Sequence, residues 1–253
     1  MMSGRPRHGW FEAVADSYRS CRPGYPRALF RWLADQAPGR KCCWDAACGS
    51  GQASVGLAAE FDRVVATDLS PAQIAAAPAH SRIHYRVAPA EHSGLQTSSL
   101  EAVVVAAAIH WIDVPRFNKE VIRVLKPGGV LAWLGYDPLQ GAPEPLQHWL
   151  DALYYERLQG LWPAERVHVD KRYADLPFPG SSQKVPDDLR IELNWTAKQL
   201  LGFIRTWSAL RSNDHQCQDL MATFQQELEA LWPPDQKQLP LHLPLMGRWG
   251  LLE

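Results

Sequence analysis

The sequence has little surplus of either charge. Its 26 basic side chains stand against 27 acidic ones, a formal net charge of −1, which excludes a global field drawing the protein onto nucleic acid or an anionic membrane. A basic cluster of Arg5, Arg7, Arg19, Arg22, Arg27, Arg31, Arg40 and Lys41 faces Glu12, Asp16 and Asp35; it reads as a solvated helix face and a ragged terminus. Long apolar runs are lacking too. The longest, AVVVAAAIHWI at 102–112, falls well short of the ~20 residues that span a bilayer, and MMSGRPRHGW has charge with no apolar stretch behind it. A cytoplasmic protein without membrane or nucleic-acid partners is expected. Cysteine is sparse and unpatterned: five in all, with Cys42 and Cys43 adjacent, which gives neither a disulfide framework nor a Cys-x-x-Cys metal pattern. Reduced, buried thiols follow. His80 and His84 have i, i+4 spacing, but the second lies on an expected strand, so no metal site is expected there.

What is present is a regular alternation. From Lys41 to Asp137 short apolar strands alternate with helical patterns, as in a parallel sheet built from strand-helix-strand units. The expected strands are KCCWDA, RVVATD, RIHYRVA, LEAVVVAAA and GVLAWLGY. The fourth is an almost continuous apolar run, as a central strand covered on both faces requires. Ser70 with Pro71 and Gln73 makes a helix start, and Asp113 caps a helix that Lys126-Pro127-Gly128-Gly129 stops. Beyond Asp137 the texture becomes rich in proline and tryptophan. LRIELNWT and QLPLHLPLM serve as the last two strands, the second placed at an edge because it contains two prolines. Three stretches result, packed as one α/β domain: an N-terminal helical segment over 1–40, a ligand-binding core over 41–137, and a cap with the last two strands over 138–253.

The stretch WDAACGSGQAS at 44–54 stands at the end of the first strand, where open parallel sheets bind ligands. Glycines there let a ligand approach the backbone, and Asp68 closes the second strand about 20 residues later, the placement of a carboxylate that binds a ribose diol. No Gly-Lys-Ser/Thr follows, so a phosphate P-loop is excluded. A serine replaces the third glycine of a dinucleotide loop, which weakens a nicotinamide oxidoreductase reading. Asp45 suits a ligand with an ammonium group better than a pyrophosphate.

D-x-x-C-G-S-G-Q, Asp68, Ala90-Glu91, His110-Trp111 and RVLKPGG, in that order, resemble the motifs of class I S-adenosylmethionine-dependent methyltransferases. YRSCRPGYP, RLQGLWPAER and QLLGFIRTWSA extend the resemblance toward small-molecule enzymes of the trans-aconitate methyltransferase type. The resemblance implies a Rossmann-like, doubly wound, seven-stranded sheet, mostly parallel with an antiparallel last strand. It also implies S-adenosylmethionine as cofactor. On that resemblance Asp45 and the backbone of Ala47, Cys48, Gly49 and Gly51 hold the methionine portion, and Asp68 takes the ribose. Leu69, Ala90 and Glu91 border the adenine, Ala107, His110 and Trp111 form the floor, and Tyr18 and Arg22 close over the cofactor, which makes the N-terminal helical segment over 1–40 a lid. The family carries glycine where this chain has Ala47; a negative φ that tolerates the Cβ is expected there, with Cys48 a small buried filler.

Methyl transfer demands positioning of the acceptor more than acid-base work. A hydroxyl or amine acceptor needs a base, for which His110 is placed. A carboxylate acceptor needs a cationic clamp, for which Arg22 is the candidate. Trp195, Trp207 and Trp249 are candidates to wall a small-molecule acceptor pocket. The alternative functions are a catalytically silent cofactor-binding regulatory protein and, further off, the oxidoreductase.

Overall fold

A computed structural model describes residues 21–210 and 215–253. Helix α1 (Arg27–Gln36) leads into strand β1 (Cys42–Ala46), followed by α2 (Gln52–Ala58), β2 (Arg63–Asp68), α3 (Pro71–Ala76) and β3 (Ile83–Val87). Next come β4 (Leu100–Ala106), α4 (Val114–Val124) and β5 (Leu125–Tyr136). The C-terminal half supplies α5 (Glu144–Ala152), α6 (Arg166–Asp170), β6 (Gln183–Lys184), β7 (Arg190–Trp195), α7 (Ala197–Arg205), α8 (His215–Leu231) and β8 (Leu239–Leu252).

The sheet runs β3-β2-β1-β4-β5-β8-β6, with β7 also paired to β8. Strands β1 to β5 are parallel and β8 is antiparallel to β5. The expected strands are all present, with the two-residue β6 as an addition. Chain order reverses between β1 and β4, so the segments after these two strands open a crevice at the carboxyl end of the sheet. Alternate residues explain the apolar runs. Cys43, Ala102, Val104 and Ala132 enter one buried cluster with Leu29 and Phe30 of α1 and Leu57 of α2. Trp44, Val103, Val105, Leu131 and Trp133 enter a second with Phe117, Val121 and Val124 of α4. A strand buried on both faces has no polar side to present.

Helix α1 therefore belongs to the core, and from the described part of the N-terminal stretch it is Arg22, Pro23 and Tyr25 that reach the crevice. The first cluster continues into the C-terminal half through Leu146, Trp149, Leu200, Phe203 and Phe224. Two caps form as their sequences dictate. Ser70 Oγ accepts from Gln73 N at 3.3 Å, and Thr196 with Gln199 makes a full capping box at the start of α7.

One expectation is corrected. Strand β8, with Pro240 and Pro244, is interior: its second half lies between β5 and β6 and its first half pairs with β7. The β5 ladder covers Leu245–Leu252 alone. The Pro244 carbonyl accepts from Asp137 N at 2.9 Å on the β5 side, and N and O of one strand residue point the same way. Both missing N–H groups thus face the side where β5 has ended, and no continuous ladder is broken.

Candidate active site

The loop after β1 rises in three left-handed steps, with φ of 54° at Ala47, 55° at Gly49 and 84° at Gly51. Cys48 N donates to Thr67 O at 2.9 Å, which ties the loop to the end of β2. The expectation for Ala47 is thus overturned: its backbone occupies the region its Cβ disfavours. The two glycines differ in purpose. A Cβ at Gly49 would meet nothing within 4 Å but Gln73 Oε1 at 3.8 Å, so the loop leaves open space there. A Cβ at Gly51 would fall 2.4 Å from the Tyr85 hydroxyl, so this glycine serves packing against β3, away from the crevice.

The two acids of the loop are unlike. Asp68 lines the crevice, its carboxylate aimed by Gly49 N and Ser70 N, each donating at 2.9 Å. Asp45 lies beneath the loop, fully buried, and off the crevice wall. Its Oδ2 accepts from Ser54 Oγ at 2.5 Å while Oδ1 has no hydrogen-bond partner. Burial, opposed by the Ser54 bonds and reinforced by the Asp68 charge, raises Asp45 to about 7. Burial raises Asp68 as well.

The crevice encloses about 610 Å³, within the range of small-molecule sites. Its floor is Ala106, Ala107 and Ala108 with His110 and Trp111. His110 sits in a 3₁₀ turn, its ring 4.7 Å from Trp111 and stacked 6.2 Å from Tyr173. Ala90, Glu91 and the exposed Leu69 form one wall, and Glu91 Oε1 accepts from Asp113 N at 2.9 Å. Gln52, which follows the loop after β1, also lines the crevice, and its Nε2 is a buried donor without a hydrogen-bond partner.

The structure thus brings Arg22, Ala47, Cys48, Gly49, Asp68, Leu69, Ala90, Glu91, Ala107, His110 and Trp111 to one cavity, and leaves Asp45 and Gly51 behind it. Cys48 is 7% exposed, and burial drives its thiol well above the ordinary range. Tyr18 lies outside the described residues. Of the three candidate tryptophans, Trp207 lines the cavity. Trp195 packs against Phe203 at 5.2 Å with the rings tilted by 49°, and Trp249 meets Trp32 edge-on at 5.3 Å, so those two are packing.

Arg22 donates through Nη1 to the Tyr136 hydroxyl and through Nη2 to Thr206 O at 3.0 Å. It spends those hydrogens joining the end of β5 to the end of α7. A second cation, Arg166, was not foreseen, nor were Tyr136 and Tyr173, all of which line the cavity. Arg166 was visible within RLQGLWPAER, but nothing in one chain says which way a helical arginine faces.

A family model described as a methyltransferase domain matches residues 44–133. A solved structure from Anaeromyxobacter dehalogenans, provisionally described as a type II methyltransferase, is 42% identical, covers 91% of this chain and 97% of its own, and has a TM-score of 0.82. The chain belongs to the class I S-adenosylmethionine-dependent methyltransferases. A methyltransferase, so described provisionally, of Dictyostelium discoideum is 27% identical over 78% of this chain and 76% of its own. A malonyl-[acyl-carrier protein] O-methyltransferase of Dechloromonas aromatica is 35% identical over 51% of this chain and 49% of its own.

This methyltransferase is an enzyme, and S-adenosylmethionine is its cofactor. The nicotinamide alternative falls with that assignment. The cavity fits the cofactor: Asp68 is an aimed carboxylate for a diol, Gly49 leaves open space, and Gln52 Nε2 is a buried donor awaiting an acceptor. No helix among the described residues is long and apolar enough to cross a membrane.

Proposed function

We propose that this methyltransferase acts on a small molecule bearing a carboxylate and makes its methyl ester. One observation carries the reading. The part of the cavity built by the segment before α1 and by the C-terminal half has two guanidinium groups, Arg22 and Arg166, set among Tyr136, Tyr154, Trp162, Phe203 and Trp207. The nearby carboxylate of Asp137 is occupied by Arg172, at 2.7 and 3.2 Å. Two cations among aromatic walls suit an organic anion. The partial likeness to an O-methyltransferase agrees.

When bound, the cofactor supplies a methyl carbon on a sulfonium, and a carboxylate oxygen forms the new C–O bond as the C–S electrons leave with sulfur. The protein's task is orientation, which can supply up to ~7–11 kcal/mol of the barrier. In this reading Asp68 holds the ribose hydroxyls, Leu69, Ala90 and Glu91 border the adenine, and Cys48, Gly49 and Gln52 receive the amino-acid end. Asp45 acts from beneath, by setting the charge under the loop. Aromatic side chains exclude water from the acceptor. A carboxylate is already a nucleophile, so His110 shapes the floor and removes no proton.

The test is a screen of small carboxylates and their amides with methyl-labelled cofactor, scoring label that alkali releases as methanol. Label that alkali releases as methanol from carboxylates and not from amides is expected, with His110→Gln retaining most of the turnover. Methylation confined to amines or uncharged hydroxyls overturns the reading, and cofactor binding without turnover of any acceptor favours the regulatory alternative.

A further inference from the structure

Arg166 is a buried cation whose charge is poorly met. Its side chain is 12% exposed, and its guanidinium stands over the rings of Tyr154 at 4.9 Å and Trp162 at 5.1 Å. Asp170 Oδ1 lies 3.2 Å from Nη1, yet that carboxylate is 53% exposed and Nη1 has no hydrogen-bond partner. Burial, partly offset by Asp170, lowers Arg166 below the ordinary guanidinium range, and the charge of Arg22 adds to the effect. Arg22 has two donors committed to Tyr136 and Thr206.

Tyr173 faces the same cavity. Its side chain is fully buried and its hydroxyl has no hydrogen-bond partner. The backbone that aims it is strained: Arg172 and Tyr173 have φ of 50° and 62°, consecutive left-handed residues with side chains. Several contacts hold that geometry. Arg172 pairs with Asp137, Tyr173 N donates to His168 O at 2.7 Å, and Tyr173 O accepts from Arg248 Nη1 at 3.2 Å. The backbone of β5 makes room, since a Cβ at Gly135 would fall 2.9 Å from the hydroxyl. A strained turn that presents a buried donor with nothing to bond is the arrangement expected of a ligand contact.

We propose that Arg166 and Tyr173 form the seat for the acceptor's carboxylate and so select the acceptor. This rests on the reading of a carboxylate acceptor given above. One Nη–H and one O–H match the two oxygens of a monoanion, whereas a phosphate dianion would leave oxygens facing aromatic rings. Tyr154, Trp162 and Trp207, in mutual contact at 5.3 to 5.8 Å, then receive an apolar or aromatic body attached to that carboxylate.

The experiment uses the full chain saturated with S-adenosylhomocysteine and measures binding of acetate, hexanoate, benzoate and 3-phenylpropanoate, each against its amide, by calorimetry and tryptophan fluorescence. At least one of the larger carboxylates is expected to bind, with its amide weaker by about tenfold. Arg166→Gln should weaken the carboxylate about tenfold and Tyr173→Phe about fivefold, with Arg166→Lys restoring part of the loss. All variants should bind the cofactor product as the parent does. Tyr173→Phe removes one oxygen atom and keeps the seat testable if the arginine variant does not fold. No preference for any carboxylate over its amide, or parent-like carboxylate binding in Tyr173→Phe together with any folded Arg166→Gln, overturns the seat. Carboxylates esterified with KM unmoved by both changes overturn the seat alone. Carboxylates bound at the seat while only uncharged acceptors are methylated overturn the ester reading and leave the seat standing.

Discussion

Ala47 spends stability that a glycine would not. Its φ of 54° places a Cβ against the following carbonyl, at a cost of roughly 1–2 kcal/mol. The loop has no freedom to relax, because Cys48 N is held by Thr67 O and Gly49 N by Asp68. Ala47→Gly should therefore stabilise the protein by about 1 kcal/mol, less the added chain entropy of glycine. Urea unfolding of the two proteins measures this, and a lower midpoint for the glycine variant refutes it. Asp45 has a different liability. Burial first of all lifts its carboxyl from 3.8 to about 7, so between those values the folded protein keeps a proton that the unfolded chain has released. Stability then falls as pH rises through that window, by up to about 1.4 kcal/mol per unit, and levels off above it. Thermal midpoints from pH 5 to 8 should decline more steeply for the parent than for Asp45→Asn. Parallel curves would mean that Asp45 does not titrate there. At this scale the sequence was legible where a residue abuts a strand end: Asp68, Ala90, Glu91, Ala107 and Trp111 are fixed in space by the sheet once their strands are recognised. Asp45 is also at a strand end, but on a buried face, and only the local φ values decide that Gly49 and not Gly51 faces the cavity.

At the scale of elements, β8 ties the sheet together: it pairs with β5 on one edge and with β6 and β7 on the other. Alternation made it recognisable as a strand, and proline misplaced it at an edge, because a sequence does not show where a neighbouring strand stops. Its weak point is Gly247, where φ is 145° and a Cβ would lie 1.9 Å from Trp133 O in β5. The atom in the way is backbone, so it cannot be swung aside. Gly247→Ala should cost about 3 kcal/mol or more by forcing β5 and β8 apart. The loss should show as a lower thermal midpoint together with weaker acceptor binding, since Gly135 and Tyr136 at the end of β5 border the cavity. An unchanged midpoint would show that the ladder absorbs the methyl. Helix α6 is the counterpart on the other side: five residues long, too short for a periodic signal, it positions Arg166 and was therefore invisible as an element.

For the molecule as a whole, one cavity joins parts far apart in the chain: the loops after β1, β2 and β4, the segment before α1, and the Pro- and Trp-rich half. The loop side of this cavity, proposed for the cofactor, was readable because four of the five ordered motifs lie at or just after the ends of β1 to β4, while RVLKPGG marks the start of β5. The side proposed for the acceptor was readable only in part: Arg22 and Trp207 were candidates, whereas Arg166 and Tyr173 join them on the cavity wall by tertiary packing alone. This arrangement makes cofactor binding and folding interdependent: a ligand that contacts β1, β2 and β4 loops together binds the assembled sheet and not the unfolded chain. Mass action then requires stabilisation, about 2.7 kcal/mol at a hundredfold excess over Kd. For a chain of this size each kcal/mol moves the thermal midpoint by about 2–4 °C. S-adenosylhomocysteine at that excess should therefore raise the midpoint by about 5–10 °C. Reduced nicotinamide dinucleotide at the same concentration should leave it in place, since the loop has a serine where a dinucleotide loop has its third glycine. Asp68→Ala should abolish most of the shift, because its carboxylate, held by Gly49 N and Ser70 N, is the acceptor proposed for the ribose hydroxyls; an undiminished shift in that variant would move the nucleoside elsewhere in the cavity.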